Sequence, residues 1–525
     1  MPAPPARSPR SAPAAGAYGL LIVVMLLAGW LRFAGLTDHP LWFDEIWHAE
    51  LSTGHGSAHL RLPTDRWLSE VPAFPSMHGA APAWQVATHM DWVLHPPAYH
   101  LLLRGWRWGV AADSTFGLRA LSATLSLLVV AAVVAMAWRK GGAGVALLVG
   151  ALLAASSTQV NQAQDARGYT LLLLLTIAAV GVVGRWPRAP GRSALPDALL
   201  LAALCLAMMW THYFALGACA GLAGYALITA ESRRRRATLV AATLVAAAVW
   251  LALWWPTLRD QLRCVEETAD IFLIDPQPHQ PARTILRVAA LPLRLVWSSP
   301  KAPLPLLAAG GAVIWVALLS QARRAPGVAP WAWVLAGTAA LLAGLDLARG
   351  TRHLDFERYA LLASPAAVLA VAATIAQMRP PTARVAVTIL APALLLAALP
   401  AGRQRTSLDP RPLVDHLLLT VDVGEPIVLV SPNPLGRDAQ TLYLYLAWYV
   451  PALFPRDLYL ATRPLDAPPT RPTWVVAANP GTDPARVWPG AVVESSWRDA
   501  GDPHRPAWGA VFRVLPAPTT VPAAP

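Results

Sequence analysis

The chain has 525 residues, of which 55% are hydrophobic and only 14% are charged, with a mean hydropathy of +0.44. This composition excludes an ordinary soluble protein, in which about a quarter of the residues are charged, and it predicts an integral membrane protein. The formal net charge is +12, but the arginines cluster between apolar segments instead of forming a basic face, which argues against nucleic-acid binding.

Apolar segments follow one another from the start of the chain to about residue 400. A helix needs about 20 apolar residues to cross a bilayer. Eleven segments meet or approach this length: residues 17–36, 118–138, 143–159, 169–186, 195–210, 213–230, 237–255, 303–319, 331–347, 359–376 and 385–399. The sequence therefore predicts an all-α polytopic membrane domain at residues 17–400. A cytoplasmic N-terminal tail, residues 1–16, precedes it and is expected to be retained.

Arginine and lysine occur in every second loop between these segments. They are Arg139, Lys140, Arg185, Arg188, Arg192, Arg323, Arg324, Arg379, Arg384 and the run at 233–236. Short cytoplasmic loops collect such cations. We therefore predict that the other loops face the outside of a bacterial-type inner or plasma membrane: residues 37–117, 161–168, 211–212, 256–302 and 348–358, as well as the chain from residue 400 onward.

Two outer stretches, residues 95–110 and 283–298, are apolar without being predicted spans. Each mixes tryptophan, leucine and arginine, a composition typical of helices that lie in the membrane interface. Treating either stretch as a span would also invert the arginine pattern downstream. Both are therefore predicted to be juxtamembrane helices.

The composition changes near residue 401 to short alternating strands. Predicted strands cover residues 427–431, 458–460, 473–477, 491–495 and 510–515, and a helix fits residues 438–449. Residues 401–515 are therefore predicted to form a small extracytoplasmic soluble α/β domain. Residues 516–525 are predicted to be a disordered tail.

An acidic pair, Asp44 and Glu45, follows the first predicted span in the stretch LWFDEIWHAE. Adjacent carboxylates suit proton abstraction or metal binding. The alternative is that Asp44 caps a helix beginning at Glu45, because aspartate is a favoured N-cap. Position alone leaves both interpretations open.

Two further polar clusters lie in predicted outer loops. The first, QVNQAQDARGY at residues 159–169, contains Asp165 and Arg167, and the second is RGTRHLDFERY at residues 349–359. Arginine suits phosphate recognition because its planar guanidinium donates two parallel hydrogen bonds and stays charged. The alternative is contact with membrane-lipid headgroups or salt bridges inside each loop. All three clusters are predicted on the outer side, where a lipid-carried activated donor is the natural supply of a sugar.

The motifs together resemble a known enzyme family. They are Asp44-Glu45, His95-Pro96-Pro97, Leu118-Arg119-Ala120-Leu121-Ser122, Gln164-Asp165-Ala166-Arg167-Gly168-Tyr169, Thr211-His212-Tyr213-Phe214 and Arg358-Tyr359. In this order they resemble the protein-mannosyltransferase-like glycosyltransferases, family 39 and its bacterial relatives in the GT-C superfamily, which use dolichyl- or undecaprenyl-phosphate sugars. The resemblance covers residues 17–400. The chain departs from the commoner pattern at Asp165, where a glutamate is usual, and in its histidine-rich first loop.

The resemblance implies an inverting transfer of a sugar, a mannose-like or other hexose or pentose, from a polyprenyl-phosphate donor to an acceptor hydroxyl. It assigns catalysis to Asp44 as the base, assisted by Glu45. The implied donor-phosphate ligands are Arg167, Arg358, Arg352 and His353. The implied substrate contacts are His95, Asp165, Tyr169, His212, Tyr213 and Tyr359. The acceptor, whether glycan, lipid or protein, is not identified, and the acidic pair and the arginines are expected to share one extracytoplasmic pocket.

A divalent metal is compatible with the first loop, but no ligand is assigned to one. Eight of the thirteen histidines lie between His39 and His100, yet HExxH and CxxC spacings are absent from the sequence. The three cysteines, Cys205, Cys219 and Cys264, form no disulfide framework.

Three other functions stay open. A secondary transporter is one, although transporters place ionisable residues near the midplane and often have repeated halves. An O-antigen ligase or polymerase is another, although those enzymes usually carry their key arginines in a long late loop. The third is a structural or sensory membrane protein that presents its C-terminal domain.

Overall fold

The computed structural model describes residues 15–90, 95–110, 113–185, 193–268, 274–298, 302–325, 327–402, 409–421, 424–430, 437–466, 469–489, 492–501 and 509–516. The predicted N-terminal tail, residues 1–16, and the predicted disordered tail, residues 516–525, lie almost entirely outside these ranges. Two compact units emerge from the contacts of the chain. The helical unit comprises the described parts of Met1–Ala34, Ser122–Leu253 and Asp270–Gln404, and the α/β unit those of Gly35–Leu121, Trp254–Ala269 and Arg405–Pro525.

Helices dominate the chain, in agreement with the predicted membrane class. They are α1 (Ala15–Phe33), α2 (Phe43–Thr53), α3 (Gln85–Thr88), α4 (Ala98–Gly109), α5 (Thr115–Ala155), α6 (Ser157–Ala163), α7 (Tyr169–Val183), α8 (Leu195–Thr211), α9 (Ala215–Thr229), α10 (Arg233–Thr268), α11 (Pro281–Arg294), α12 (Leu304–Arg324), α13 (Ala329–Arg349), α14 (Ser364–Ala376), α15 (Pro381–Gly402), α16 (Arg411–Thr420), α17 (Arg437–Tyr449) and α18 (Pro484–Val487). Short 3₁₀ turns cover Ala58–Arg61, His353–Asp355, Glu357–Ala363 and Pro451–Leu453.

All eleven predicted spans overlap these helices. Within the described residues, seven helices are long and apolar enough to cross a membrane, and α7, α8 and α9 are shorter apolar helices. Helix α5 accounts for the remaining predicted span, because this single helix covers two of the eleven predicted spans, residues 118–138 and 143–159. Gly142 interrupts α5 with a φ of 77°, a conformation that glycine adopts without steric penalty.

A close glycine contact packs α9 against α13 in the helical unit. A Cβ atom added to Gly337 would collide with the carbonyl oxygen of Gly217 and would lie 3.1 Å from the backbone nitrogen of Gly221. Small residues four apart allow the backbones of membrane helices to approach in this way. The apolar runs in the sequence predicted both helices. The spacing of the small residues explains why α9 and α13 pack against each other.

Gly337→Ala is expected to destabilise the helical unit by about 1–3 kcal/mol, because the added methyl group has backbone atoms as neighbours and cannot be accommodated by a rotamer change. The melting temperature of the purified chain in detergent checks this. Gly344→Ala on the same helix is the matched control, since no described atom lies within 4 Å of its added Cβ. An equal loss of stability in both variants would contradict the close contact.

The two predicted juxtamembrane stretches are helices, α4 and α11. Each has one buried face that includes an arginine and one exposed face that includes large apolar side chains. In α4 Arg107 is buried while Trp108 is 81% exposed, and in α11 Arg287 is buried while Ile285 is 67% exposed. An exposed apolar face is typical of helices at a lipid surface, where their placement stays a prediction.

The α/β unit contains one six-stranded sheet. Its strands are β1 (Trp67–Val71), β2 (Ile427–Val430), β3 (Arg456–Ala461), β4 (Thr473–Ala477), β5 (Val492–Arg498) and β6 (Ala510–Leu515). The order is β1-β3-β2-β4-β6-β5. Strand β2 pairs in parallel with β3 and β4, and the other neighbours are antiparallel. The five predicted strands and the predicted helix at 438–449, now α17, are confirmed.

Strand β1 was not predicted, and it comes from the segment between α2 and α4. Its Trp67 lies opposite Tyr459 of β3. The strand is only five residues long and includes Glu70 at a φ of 51°, so its sequence lacks a regular alternation. The sheet therefore combines a strand from the segment between α2 and α4 with the strands of the C-terminal segment, whereas two separate regions were predicted.

Candidate functional site

Asp44 lies in the first turn of α2, within the α/β unit. The N-cap of this helix is Trp42, so the alternative in which Asp44 caps a helix starting at Glu45 is wrong. Asp44 is half-buried, and a carboxylate in the first helical turn is stabilised by the positive end of the helix dipole. The structure thus places Asp44 as a partly accessible carboxylate at the start of a helix.

Glu45, its neighbour, has a different environment. It is fully buried, and its carboxylate accepts two hydrogen bonds from Arg119, from Nε at 2.8 Å and from Nη2 at 2.7 Å. The same guanidinium donates to the carbonyl oxygens of Leu36, His39 and Pro40 at 2.7–2.9 Å. The pair therefore ties the chain before α2 to the first turn that contains Asp44.

Arg119 was not among the predicted site residues, although the sequence did contain a signal for its role. It lies inside the predicted span 118–138, and an arginine in an apolar segment needs a buried partner. The far end of α2 is anchored too, because Arg104 donates to the carbonyl of Thr53 at 2.8 Å and Arg107 to that of Ala49 at 2.7 Å. Both arginines come from α4, so α2 is held at both ends.

The histidine-rich first loop contains two close contacts next to α2. The first joins His59 Nδ1 to the Glu50 carboxylate at 2.5 Å. In the second, His48 Nδ1 and His100 Nε2 are 2.6 Å apart, and the ring of His95, a predicted substrate contact, lies 5.2 Å from that of His48. Burial lowers the pKa of His100 to about 3, so its ring is neutral near pH 7.

These histidines do not form a metal centre in the structure. In the described ranges, no group of three or more histidine, cysteine, aspartate or glutamate side chains is arranged to hold a metal ion.

The helical unit brings together predicted residues from three separate loops. The guanidinium of Arg167 lies 5.0 Å from the ring centre of Tyr169, and that of Arg358 lies 5.1 Å from the ring centre of Tyr359. His212 connects the two tyrosines, with its ring 5.3 Å from Tyr169 and 6.2 Å from Tyr359. We call these five residues, Arg167, Tyr169, His212, Arg358 and Tyr359, the arginine–aromatic cluster.

The cluster is electropositive. Burial, together with the positive charges of Arg167 and Arg358, lowers the pKa of His212 to about 3. His212 lies just after the last residue of α8 and is neutral at physiological pH. Two guanidinium groups beside a neutral imidazole leave a net positive charge, which favours binding of an anion.

His353 borders the cluster and is held by Asp346. Its ring lies 5.7 Å from that of Tyr359, and its Nδ1 lies 2.9 Å from the Asp346 carboxylate, which also accepts the backbone N–H groups of His353 and Leu354 at 2.7 and 3.0 Å. Because a carboxylate only accepts, Nδ1 carries the proton. Neutral His353 therefore has an acceptor at Nε2, and it donates to a phosphate only when it is protonated.

Asp346 was missed by the sequence analysis, although it is a carboxylate within the predicted span 331–347. An acidic residue in an apolar segment indicates a buried polar function.

Helix α11 holds the turn that contains Arg358. Arg287 pairs with Asp275 at 2.6 Å and with Asp355 at 2.7 Å, and Arg294 pairs with Asp355 at 3.2 Å. Arg287 is buried, so these pairs are less screened by solvent than exposed ones. Two arginines of α11 thus position the loop, whereas the sequence indicated only an interfacial helix.

The other predicted residues lie nearby or elsewhere. The carbonyl of half-buried Asp165 accepts from the backbone N–H of Arg167 at 2.8 Å, which closes the turn before the cluster. The guanidinium of Arg352 lies 5.7 Å from the ring centre of Phe356. Tyr213 contacts the ring of Trp250, at a centre-to-centre distance of 6.2 Å.

Solved structures with a similar fold exist. No protein-family model and no curated protein matches the sequence. ArnT from Cupriavidus metallidurans, solved in the apo state and bound to undecaprenyl phosphate, is similar in both structures at 14% identity with a TM-score of 0.54, over 95% of this chain and 98% of that one. The arabinofuranosyltransferase AftD from Mycobacteria is similar at 16% identity with a TM-score of 0.51, over 97% of this chain and 40% of that one. The chain therefore has the fold of ArnT and is similar in fold to part of AftD.

Proposed function

We propose that the chain is an inverting glycosyltransferase that moves a sugar from a polyprenyl-phosphate donor to an acceptor hydroxyl on the extracytoplasmic face of the membrane. The arginine–aromatic cluster is the observation that carries this proposal. Residues from loops 161–168, 211–212 and 348–358 converge there on one electropositive centre. The similar fold of ArnT, which was solved with undecaprenyl phosphate bound, supports a lipid phosphate as the anion.

In the proposed reaction Asp44 is the general base. Its carboxylate takes the proton of the acceptor hydroxyl as that oxygen attacks the anomeric carbon of the donor sugar. The bond between the anomeric carbon and the phosphate oxygen breaks, its electron pair stays on that oxygen, and polyprenyl phosphate departs from the opposite face with inversion. Glu45 assists indirectly, because its pair with Arg119 holds the turn that contains Asp44.

The leaving phosphate gains negative charge during this step. Arg167 and Arg358 are the proposed donors to it, since fixed cations aimed at developing charge stabilise a transition state most effectively. Arg352 and protonated His353 are proposed as additional phosphate ligands. Tyr169, His212 and Tyr359 then line the phosphate and sugar region, and His95, Asp165 and Tyr213 stay proposed substrate contacts.

A donor panel tests the proposal. The purified chain is reconstituted in liposomes with individual polyprenyl-phosphate-linked hexoses and pentoses and with candidate glycan, lipid and peptide acceptors. Mass spectrometry should detect free polyprenyl phosphate and an equal amount of glycosylated acceptor for one donor class. Uptake of a soluble solute without release of lipid phosphate would instead identify a transporter.

Arg358→Gln is expected to lower kcat by about 10²–10³-fold, the loss typical of removing one donor to developing charge. The measurement is initial rates with the active donor at saturation. Arg349→Gln is the matched control, because Arg349 belongs to the same loop region but is exposed, and its rate should stay within about twofold of the wild type. Equal losses of kcat in the two variants would mean that the overall positive charge of the loop, and not Arg358 in particular, supports transfer.

A further inference from the structure

Four polar residues lie at the start of α6 in the helical unit, and all four are buried: Ser156, Ser157, Thr158 and Gln159. Ser156 is the N-cap of the helix, and its hydroxyl oxygen accepts a hydrogen bond from the backbone N–H of Gln159 at 3.3 Å. A hydroxyl group can donate one hydrogen bond while it accepts another. Because buried polar groups nearly always have a partner, the protons of these hydroxyl groups require acceptors close by.

The acceptors are carbonyl groups at the end of α11. Thr158 donates to the carbonyl oxygen of Arg294 at 2.6 Å, and Ser156 donates to that of Val296 at 2.7 Å. Arg294 is the last residue of α11, and the last carbonyl groups of a helix have no partner within the helix. The hydroxyl groups at the start of α6 therefore satisfy these carbonyls and fix the end of α11.

Arg294 connects this contact to the turn that precedes Arg358. Its side chain donates to the carboxylate of Asp355 at 3.2 Å and to the carbonyl of Leu354 at 3.3 Å. Thr158 thus holds the backbone of Arg294, and the side chain of Arg294 holds the turn. A shift of the end of α11 would therefore move the segment that carries Arg358.

Gln159 provides a second link between α6 and the loop of Arg358. Its side-chain N–H group donates to the hydroxyl of Ser364 at 2.5 Å. The turn Glu357–Ala363, which contains Arg358, ends directly before Ser364. Arg358 is therefore linked to α6 on both sides, through Asp355 before it and through Ser364 after it.

The other end of α6 leads to Arg167. Gln164, which directly follows the helix, donates from its side chain to the carbonyls of Leu31 and Ala34 at 3.0 and 2.9 Å. The carbonyl of Arg167 accepts from the hydroxyl of Ser122 at 3.2 Å. Helix α6 is thus anchored at both ends, and it joins the segment of Arg167 to the contact with α11.

We propose that Thr158 is a positioning residue, whose hydroxyl sets the place of Arg358 relative to Arg167 through the end of α11. This inference rests on the proposed function, in which both arginines stabilise the leaving phosphate. Donors stabilise developing charge best when they are fixed before the reaction. A misplacement of about 1 Å can lower a rate about 10²-fold.

The test separates the hydroxyl group of Thr158 from the shape of its side chain. Thr158→Val replaces the hydroxyl by a methyl group and is expected to lower kcat about tenfold. Thr158→Ser keeps the hydroxyl and should restore kcat to within about twofold of the wild type. Thr338→Val is the matched control, because Thr338 is also buried but its hydroxyl donates to the carbonyl of Val334 in its own helix at 2.8 Å.

A double variant distinguishes positioning of Arg358 from a general structural effect. In the Arg358→Gln background, Thr158→Val should lower kcat by less than about twofold, because the group that the hydroxyl positions is already absent. Four results would overturn the inference: a further loss of about tenfold in the double variant, wild-type kcat in Thr158→Val, equal losses in Thr158→Ser and Thr158→Val, or an equal loss in Thr338→Val.

Hydrogen exchange gives a measurement that does not depend on activity. Thr158→Val should speed exchange of the amides of residues 353–359 about tenfold, because the turn is less firmly held. Thr158→Ser and Thr338→Val should leave these amides unchanged. Unaltered exchange at residues 353–359 in Thr158→Val would also overturn the inference.

The failure of the parent proposal looks different. If the wild-type chain transfers no sugar from any donor, the proposed function fails and the positioning role fails with it. If the wild type is active and Arg358→Gln is impaired, but Thr158→Val retains full kcat, only the positioning role is wrong.

Discussion

Asp44→Asn is expected to reduce glycosyl transfer at least 10³-fold while the protein stays folded. Asparagine has nearly the same shape but accepts no proton, and general base catalysis typically contributes about 10²–10⁴-fold. Asp44 is only half-buried, and the substitution keeps the size of its side chain. Single-turnover rates with the active donor measure the loss.

The matched control separates chemistry from donor binding. Binding of polyprenyl phosphate to Asp44→Asn, followed by quenching of tryptophan fluorescence, should stay within about threefold of wild type. Retained transfer in Asp44→Asn would remove this residue from catalysis, and loss of folding would assign it a structural role.

Glu45→Gln is expected to destabilise the α/β unit by about 3–5 kcal/mol, because it leaves the buried Arg119 guanidinium without its counter-charge. Arg119→Met should cost at least as much, since the carbonyls of Leu36, His39 and Pro40 lose their donor as well. Chemical denaturation in detergent, followed by circular dichroism, measures both variants. Substitutions of the two adjacent carboxylates are thus expected to have different effects. Asp44→Asn loses activity, whereas Glu45→Gln loses stability.

An exposed ion pair provides the comparison. Arg471 pairs with Asp457 in the same unit, and 54% of the Arg471 side chain is exposed, so Arg471→Gln should change stability by only about 0–1 kcal/mol. A Glu45→Gln protein as stable as Arg471→Gln would show that the buried pair does not hold the turn.

Elements with a strong local signal were predicted correctly. The helices at the eleven apolar runs, the helices α4 and α11 and the strands β2 to β6 all depend on composition and periodicity within a short window. Strand β1 was not predicted because its partner β3 lies nearly 400 residues away along the chain. A five-residue segment with an irregular residue at Glu70 carries no local evidence of that pairing.

The same distinction between local signals and distant contacts applies to the residues of the candidate site. Arg167, His212 and Arg358 were predicted because each stands out in a short motif, and the structure brings them close together. Arg119 and Asp346 act through partners distant in sequence or through backbone groups, which motif recognition does not detect. A charged residue inside an apolar run did mark both of them.

The most direct test of the account follows one oxygen atom. The donor is prepared with ¹⁸O in the bridge between the anomeric carbon and phosphorus, and the products of the reconstituted chain are weighed by mass spectrometry. The proposed displacement predicts that all the ¹⁸O appears in the released polyprenyl phosphate, with an inverted anomeric centre in the product. Label in the glycosylated acceptor, or no release of polyprenyl phosphate from any donor, would contradict it.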